Sequence, residues 1–152
     1  MLEYLHLSRG GFFGPHIEDL IRLRSGHLEV DRYYTRTVFG KECVRFHEEL
    51  SKDRSKRWLQ KFEQIRFEEW DDEYWADVCD GEQWSIVYQY SGEEKKRSWG
   101  SNAYPKNWQV LIYLLNKLTY KLPRSEGDIM AFLHTISNEE KGLERSAHRR
   151  TG

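Results

Sequence analysis

The stretch that decides the fold is residues 84–118, which read WSIVYQYSGEEKKRSWGSNAYPKNWQVLIYLLNKL. Over residues 84–90, large apolar side chains alternate with smaller or polar ones, which is typical of a half-buried β-strand. Ser91-Gly92 is a turn signal, and residues 95–100 then provide a return strand. This segment therefore predicts an antiparallel hairpin.

The hairpin leads directly into a predicted helix. Pro105 suits the first helical turn, where a missing N–H removes no hydrogen bond, and Pro123 ends the helix. Apolar residues recur between the two prolines at helical spacing: Trp108, Leu111, Ile112, Leu115, Leu118 and Leu122. A helix with one apolar stripe must pack on another surface, and the preceding hairpin supplies a sheet.

The N-terminal half predicts a second hairpin. Residues 3–8 alternate as a strand does, and the glycine-rich residues 10–15 predict a turn. A two-residue turn at Ser25-Gly26 pairs the flanking residues on one ribbon: Arg24 with His27, Leu23 with Leu28, and Ile21 with Val30. Residues 33–46 keep high strand propensity and predict a further strand or an irregular edge.

A first helix is predicted over residues 52–64. Ser51 is a good N-cap, and Asp53 lies in the first turn, where a negative charge is favourable. The apolar residues at helical spacing are Trp58, Leu59, Phe62 and Ile65. Two amphipathic helices beside a sheet suit a two-layer architecture.

Together these patterns predict an α+β fold with an antiparallel sheet of five to six strands and two main helices packed on one face. We expect a single domain over residues 1–136, in which residues 128–136 add a short helix. Residues 137–152 are polar and basic, and we expect them to form a mobile tail.

Composition is consistent with one globular domain. The chain has 152 residues, of which 32% are charged, while Trp, Tyr and Phe together reach 14%. Aromatic rings, and not aliphatic side chains alone, must therefore build the core. The formal net charge is −1, so no whole-chain field attracts the protein to nucleic acid or to an anionic membrane.

The sequence favours a cytoplasmic protein without membrane contact. Its longest apolar stretch, near residues 110–115, is far shorter than the ~20 residues of a membrane span. The N-terminus lacks the basic and apolar regions of a signal peptide. Cys43 and Cys79 have no CxxC spacing, so we expect two free thiols.

No residue pattern predicts catalysis or a bound metal. Cys43 and His47 lack the second pair that a tetrahedral zinc site needs. The acidic residues of 71–82 lack the ordered alternation of an EF-hand, and residues 10–15 lack the Lys-Ser/Thr of a P-loop. We therefore expect no metal and no cofactor, and the sequence favours a non-enzyme without excluding an enzyme.

Charge is segregated along the chain. A basic helix face precedes an acidic segment, residues 68–82, in which aromatic rings are interleaved. The basic residues are Lys52, Arg54, Lys56, Arg57 and Lys61. Both patches are interpretable as ordinary solvated faces. The functional interpretation is that the acidic segment docks a basic protein surface around aromatic anchors.

The preferred hypothesis is a non-enzymatic interaction protein with a macromolecular partner. An inhibitor or immunity-type role extends this hypothesis by analogy. The candidate partner-binding residues are Glu69, Trp70, Asp71, Asp72, Glu73, Tyr74 and Trp75. Nucleic acid is not the expected partner, because carboxylates beside the basic helix would repel phosphates. The sequence predicts no particular oligomeric state.

Two motifs in the second half resemble a known pattern. Residues 80–86 read DGEQWSI and residues 100–108 read GSNAYPKNW. They resemble short uncharacterised bacterial proteins in which a DGxxW strand leads through a hairpin to GxNAYPxNW and a helix. The resemblance covers about residues 70–118 and implies a shared fold. It implies no activity, so no functional residue is carried over.

The second motif also supports a rival function. In the structural interpretation, Asn102 satisfies turn backbone groups, while Tyr104 and Trp108 fix the helix to the sheet. If Trp84, Asn102 and Tyr104 instead line an open pocket, the chain is a small-ligand-binding sensor or enzyme. The two interpretations differ in whether these side chains contact one another or solvent.

Overall fold

The computed structural model describes residues 1–11, 16–35, 42–77 and 81–119. All of these lie in one compact unit, Met1–Leu122. Several predictions concern other residues and lie outside the described part of the chain: the end of the second helix at Leu122, the helix over 128–136, the tail over 137–152, and the state of the two cysteine side chains.

Seven strands form one sheet. In chain order they are β1 (Leu2–Gly11), β2 (His16–Arg24), β3 (His27–Thr35), β4 (Glu42–Glu49), β5 (Glu73–Trp75), β6 (Glu82–Tyr90) and β7 (Lys96–Ser101). Their order across the sheet is β4-β3-β2-β1-β6-β7-β5. The helices are α1 (Lys52–Glu63) and α2 (Trp108–Leu118), and a 3-10 turn spans Phe67–Glu69.

The α+β class is confirmed, but the strand count of five to six was too low. The sheet gains β4 as a regular strand at one edge and β5 at the other. β5 has only three residues and runs parallel to β7, whereas the other neighbouring pairs are antiparallel. A strand this short carries too little alternation to be recognised by pattern.

The predicted register of the first hairpin is confirmed. Leu23 lies opposite Leu28 and Ile21 opposite Val30. Ser25 and Gly26 both have positive φ, 51° and 80°. That combination is what a type I′ turn requires, and the turn's twist matches the twist of the strands. Turn chemistry therefore sets this register, and the apolar pairs face the core.

Helix α1 begins as predicted and ends one residue earlier. The Ser51 hydroxyl accepts a hydrogen bond from the Arg54 backbone N–H at 3.2 Å, and Gln64 is the C-cap. Leu59 and Phe62 are buried. The basic residues of this helix are all exposed: Lys52, Arg54, Lys56, Arg57 and Lys61.

Helix α2 begins at Trp108, so the placement of Pro105 in its first turn was wrong. Asn107 precedes the helix with a left-handed φ of 66°. The Trp108 N–H donates to the Pro105 carbonyl at 3.2 Å, which closes a separate turn. The proline therefore shapes the approach to the helix rather than its first turn.

The core lies on one face of the sheet, where the apolar sides of both helices pack. Aromatic rings fill its second half, as the composition predicts. Trp84 and Trp108 have ring centroids 4.7 Å apart, and Phe67 stacks on Tyr88 at 5.3 Å. The chain that leaves α1 therefore packs its aromatic residues against β6 and α2 before it enters β5.

Candidate functional site

Strand β5 is a sheet edge in the described part of the chain. The Trp99 N–H donates to the Asp72 carbonyl at 3.0 Å, and the Ala76 N–H donates to the Ser101 carbonyl at 3.0 Å. Successive residues of a strand direct their backbone groups to opposite sides. Glu73 and Trp75 therefore direct theirs away from β7, toward the open edge.

A pair of contacting indoles, an exposed Trp75 and a half-buried Trp99, lies beside this edge. Trp75 is 65% exposed, which is unusual for the largest apolar side chain. Its ring centroid lies 4.8 Å from that of Trp99 in an edge-to-face arrangement, with an interplanar angle of 82°. The rings come from paired strands and lie on the sheet face opposite the helices. Trp75 is thus held by a neighbouring ring while most of its surface remains open.

Exposed carboxylates lie before, within and after β5 in the sequence. The exposed acidic residues before, within and after β5 are Glu68, Glu69, Asp71, Asp72, Glu73 and Asp77. Burial raises the pKa of the Tyr88 hydroxyl, and Glu68, Asp72 and Glu93 raise it further, because carboxylates repel a phenolate. Tyr88 lies on the core face of the sheet, so the charges of Glu68 and Asp72 also reach the buried side of this edge.

Basic residues limit how far this acidic character extends. An open groove of about 530 Å³ beside β7 is lined by Glu68 and Asp72, but also by Lys96 and Arg97. Opposite charges in one groove offset each other in the surrounding field. The acidic surface is therefore concentrated on β5 and the residues flanking it, and we call Glu69, Asp71, Asp72, Glu73, Trp75 and Asp77 the acidic edge.

Two residues expected in this surface have other roles. Trp70 is only 8% exposed, and its indole N–H donates to the Lys106 carbonyl at 3.0 Å. Tyr74 is half-buried, and its hydroxyl accepts a hydrogen bond from the Asp71 N–H at 2.8 Å. Trp70 is thus part of the core, and Tyr74 fixes the backbone of the acidic edge.

The sequence holds a signal that would have placed Trp70 correctly. Phe67 and Trp70 are three residues apart, and a helical turn brings such residues to one side. Their rings are 5.0 Å apart in the structure. Acidic neighbours suggested an exposed segment, whereas the 3-10 turn at Phe67–Glu69 directs the carboxylates outward and the rings inward.

Trp99 belongs to the site but was predicted only as part of a return strand. Ser98 and Gly100 on either side of it are buried. Because strand residues alternate in direction, two small inward residues place the ring between them on the outer face. The pattern Ser-Trp-Gly was therefore the available signal.

The rival residue set builds a corner between β6, β7 and α2. The Trp84 indole N–H donates to the Ala103 carbonyl at 2.9 Å. Asn102 has a left-handed φ of 56°, and its backbone N–H donates to the Glu82 carbonyl at 3.0 Å. A Cβ on Gly81 would lie 1.5 Å from the Asn102 side-chain oxygen. Asn102 therefore fills the space beside this glycine.

Tyr104 completes the same corner. Its ring packs on Trp108 with centroids 5.1 Å apart, and its hydroxyl donates to Glu82 Oε1 at 3.3 Å. Burial raises the pKa of this hydroxyl, and the Glu82 carboxylate raises it further. These contacts join the strand ends to the helix, and they occupy the polar atoms that a ligand would need.

Trp84 borders an open groove of about 350 Å³ on the other side of the strands. Neither Asn102 nor Tyr104 lines it. The lining residues are Ser8, His16, Trp75, Gln83, Trp84, Ser85, Trp99, Gly100 and Ser101. Among the described residues, this groove thus does not bring the three residues of the rival set together, and it instead extends the surface around Trp75.

In the described part of the chain, no helix combines the length and apolarity that a membrane span needs. The described residues also gather no group of three or more His, Cys, Asp or Glu side chains able to hold a metal ion. No protein-family model matches the chain, and no curated protein matches its sequence. The resemblance to short bacterial proteins therefore stays a prediction.

Proposed function

We propose that this protein is a non-enzymatic interaction module that binds a basic protein surface through its acidic edge. The observation that carries the proposal is Trp75, an indole 65% exposed that is held by Trp99 and flanked by exposed carboxylates. A large exposed ring in an acidic segment is typical of an interface in which a few aromatic anchors supply most of the binding energy.

The charges and the ring have different tasks in this proposal. Carboxylates on the rim accelerate encounter with a basic partner and set its orientation, but each contributes little affinity after screening. Trp75 supplies the affinity when its ring is desolvated in a pocket of the partner. Binding should therefore weaken with salt and depend strongly on this one ring.

The backbone of β5 adds a further contact. Glu73 and Trp75 direct N–H and C=O groups to the open edge, where an extended partner segment can pair with them. A segment rich in Lys or Arg would meet the acidic side chains on the same edge. The geometry thus suits a basic partner that presents a strand or a loop.

Charge reversal tests the proposal against a matched control on the same protein. One variant carries Asp71→Lys, Asp72→Lys and Glu73→Lys on the acidic edge. The control carries Lys52→Glu, Lys56→Glu and Arg57→Glu on the exposed face of α1. All six side chains are exposed, so both variants should fold.

Each immobilised protein is used to capture partners from cell lysate, and the bound proteins are identified by mass spectrometry. We expect a basic partner that the wild type and the α1 variant retain and the acidic-edge variant loses. Retention by all three proteins would refute the role of the edge. If the partner is an enzyme, its activity with and without the bound module tests the inhibitor or immunity-type role.

A further inference from the structure

Arg9 is a buried charged residue that the proposed function does not use. It lies on β1 opposite Trp84 on one side and Ile17 on the other, on the face that carries the core. Only 7% of its surface is exposed. A guanidinium in such a position requires partners for its N–H groups, because burial removes the water that would solvate them.

A nearby carboxylate is already engaged. Asp19 is 1% exposed and Arg32 is fully buried. Arg32 binds Asp19 with two parallel hydrogen bonds, Nε to Oδ1 at 2.6 Å and Nη2 to Oδ2 at 3.1 Å. Arg32 Nη1 also donates to the Asn116 side-chain oxygen at 3.0 Å. Asp19 and Arg32 thus form a satisfied bidentate pair.

Arg9 has the same fork of donors, and the fork is unpaired. Its Nε and Nη2 atoms are buried and make no hydrogen bond within the described structure. Burial lowers the pKa of Arg9; the charges of Asp19 and Glu82 oppose that shift, whereas the charge of Arg32 adds to it. Buried donors without partners are rare in native proteins, since each costs about 1–3 kcal/mol.

We propose that Arg9 is the anchor of a binding site for a small oxyanion, a carboxylate or phosphate group held by Nε and Nη2. The protein itself shows what this fork takes, because the same two atoms of Arg32 hold the carboxylate of Asp19. Planar guanidinium forks match the two oxygens of such a group. The site is separate from the acidic edge and does not depend on the partner-binding proposal.

Glu82 is the charged group that competes with this ligand. Its charge acts on Arg9, but its Oε1 atom accepts the Tyr104 hydroxyl at 3.3 Å. Tyr104 is 42% exposed, and both members of this pair lie close enough to Arg9 for their charges to act on the guanidinium. If the Glu82 carboxylate accepts the hydrogen bonds of Arg9 instead, added oxyanions will not raise Tm above its value in chloride.

Thermal unfolding in sodium phosphate, sodium acetate and sodium chloride at matched ionic strength tests the site. For the wild type we expect a saturable rise in Tm with phosphate or acetate over chloride, roughly 5 °C or more at 100-fold above Kd. The oxyanion that raises Tm more identifies the preferred group. The Arg9→Met variant should lose this specific rise, leaving only the general salt effect.

Arg24→Met is the matched control, because Arg24 is an exposed arginine whose side chain is 62% accessible. It should keep the full oxyanion effect. An equal Tm in all three salts for the wild type, or an equal oxyanion effect in Arg9→Met, would overturn the proposal. If Arg9→Met does not fold, an NMR titration of the wild type tests the proposal. The Nε–H resonance of Arg9 must shift saturably with the oxyanion and not with chloride.

Discussion

Replacing Gly100 with alanine should destabilise the protein, although the same change in an ordinary strand stabilises it. Gly100 lies opposite Trp84 in the β6–β7 pair. A Cβ at this position would lie 2.6 Å from both Cε2 and Nε1 of the Trp84 ring. The ring cannot move freely, because it packs on Trp108 and its N–H is bonded to Ala103.

The magnitude follows from three contributions. Overpacking a core by a methyl group costs about 1–3 kcal/mol. Displacing the Trp84 ring also weakens its hydrogen bond to Ala103, which contributes about 1 kcal/mol. In the opposite direction, alanine in a strand stabilises the folded protein by roughly 0.5–1 kcal/mol relative to glycine. We therefore expect a net loss of about 1–3 kcal/mol, or a Tm lower by about 3–10 °C.

Urea unfolding followed by far-UV circular dichroism measures this loss, and a double-mutant cycle assigns its cause. In a Trp84→Phe background the smaller ring leaves room for the new methyl group. Gly100→Ala should then cost at least about 1 kcal/mol less than in the wild type. A neutral or stabilising Gly100→Ala, or a cost that is the same in both backgrounds, would refute the packing described here.

Three further predictions concern polar side chains. Ser55→Ala should cost about 1–3 kcal/mol in urea unfolding, because its hydroxyl accepts the buried Leu28 N–H at 2.8 Å; a loss under 0.5 kcal/mol would contradict this role. Arg32→Met should cost about 3–5 kcal/mol by the same measurement, since it leaves the buried Asp19 carboxylate unpaired, and an unchanged midpoint would rule that out. Burial, and then the hydrogen bond to Glu68, raise the pKa of Tyr90 above its usual value near 10. The protonated Tyr90 hydroxyl therefore contributes its full stability below pH 10, and this contribution is lost as the pH rises further. Tyr90→Phe should flatten the decline of Tm at alkaline pH. A decline with the same slope in both proteins would argue against this role of Tyr90.

The elements that the sequence predicts well are those governed by local chemistry. The turn at Ser25-Gly26 needs two positive φ angles and a matching twist, so its register followed from two residues. Helix α1 followed from the Ser51 cap and one apolar stripe. In both cases neighbouring residues decide the structure, and distant contacts only confirm it.

The elements that were missed depend on residues far apart in the chain. β5 exists because its backbone pairs with β7, more than twenty residues later in the sequence. Trp70 is buried because its indole N–H reaches the Lys106 carbonyl. An acidic local sequence indicates exposure in both cases. The spacing of Phe67 and Trp70 indicates a shared side, but the contacts that bury Trp70 are visible only in the tertiary structure.

The candidate site was predicted in part. The sequence located the acidic segment and Trp75, whose exposure the structure shows directly. It did not locate Trp99, because two strands must pair before the rings meet. The sequence also did not show that Arg9 lacks hydrogen-bond partners. Strand alternation assigns a residue to one face of the sheet, but the partners of its side chain come from other strands. Charge patterns therefore located the acidic segment, but not the buried guanidinium.

The affinity of the purified partner for Trp75→Ala, measured beside Tyr113→Ala, tests the central claim most directly. The two rings are comparably exposed, 65% for Trp75 and 59% for Tyr113, but Tyr113 lies on α2, away from the acidic edge. We predict that Trp75→Ala weakens Kd at least about 10-fold, while Tyr113→Ala changes it less than about twofold. Equal effects of the two substitutions, or an unchanged Kd for Trp75→Ala, would contradict the account.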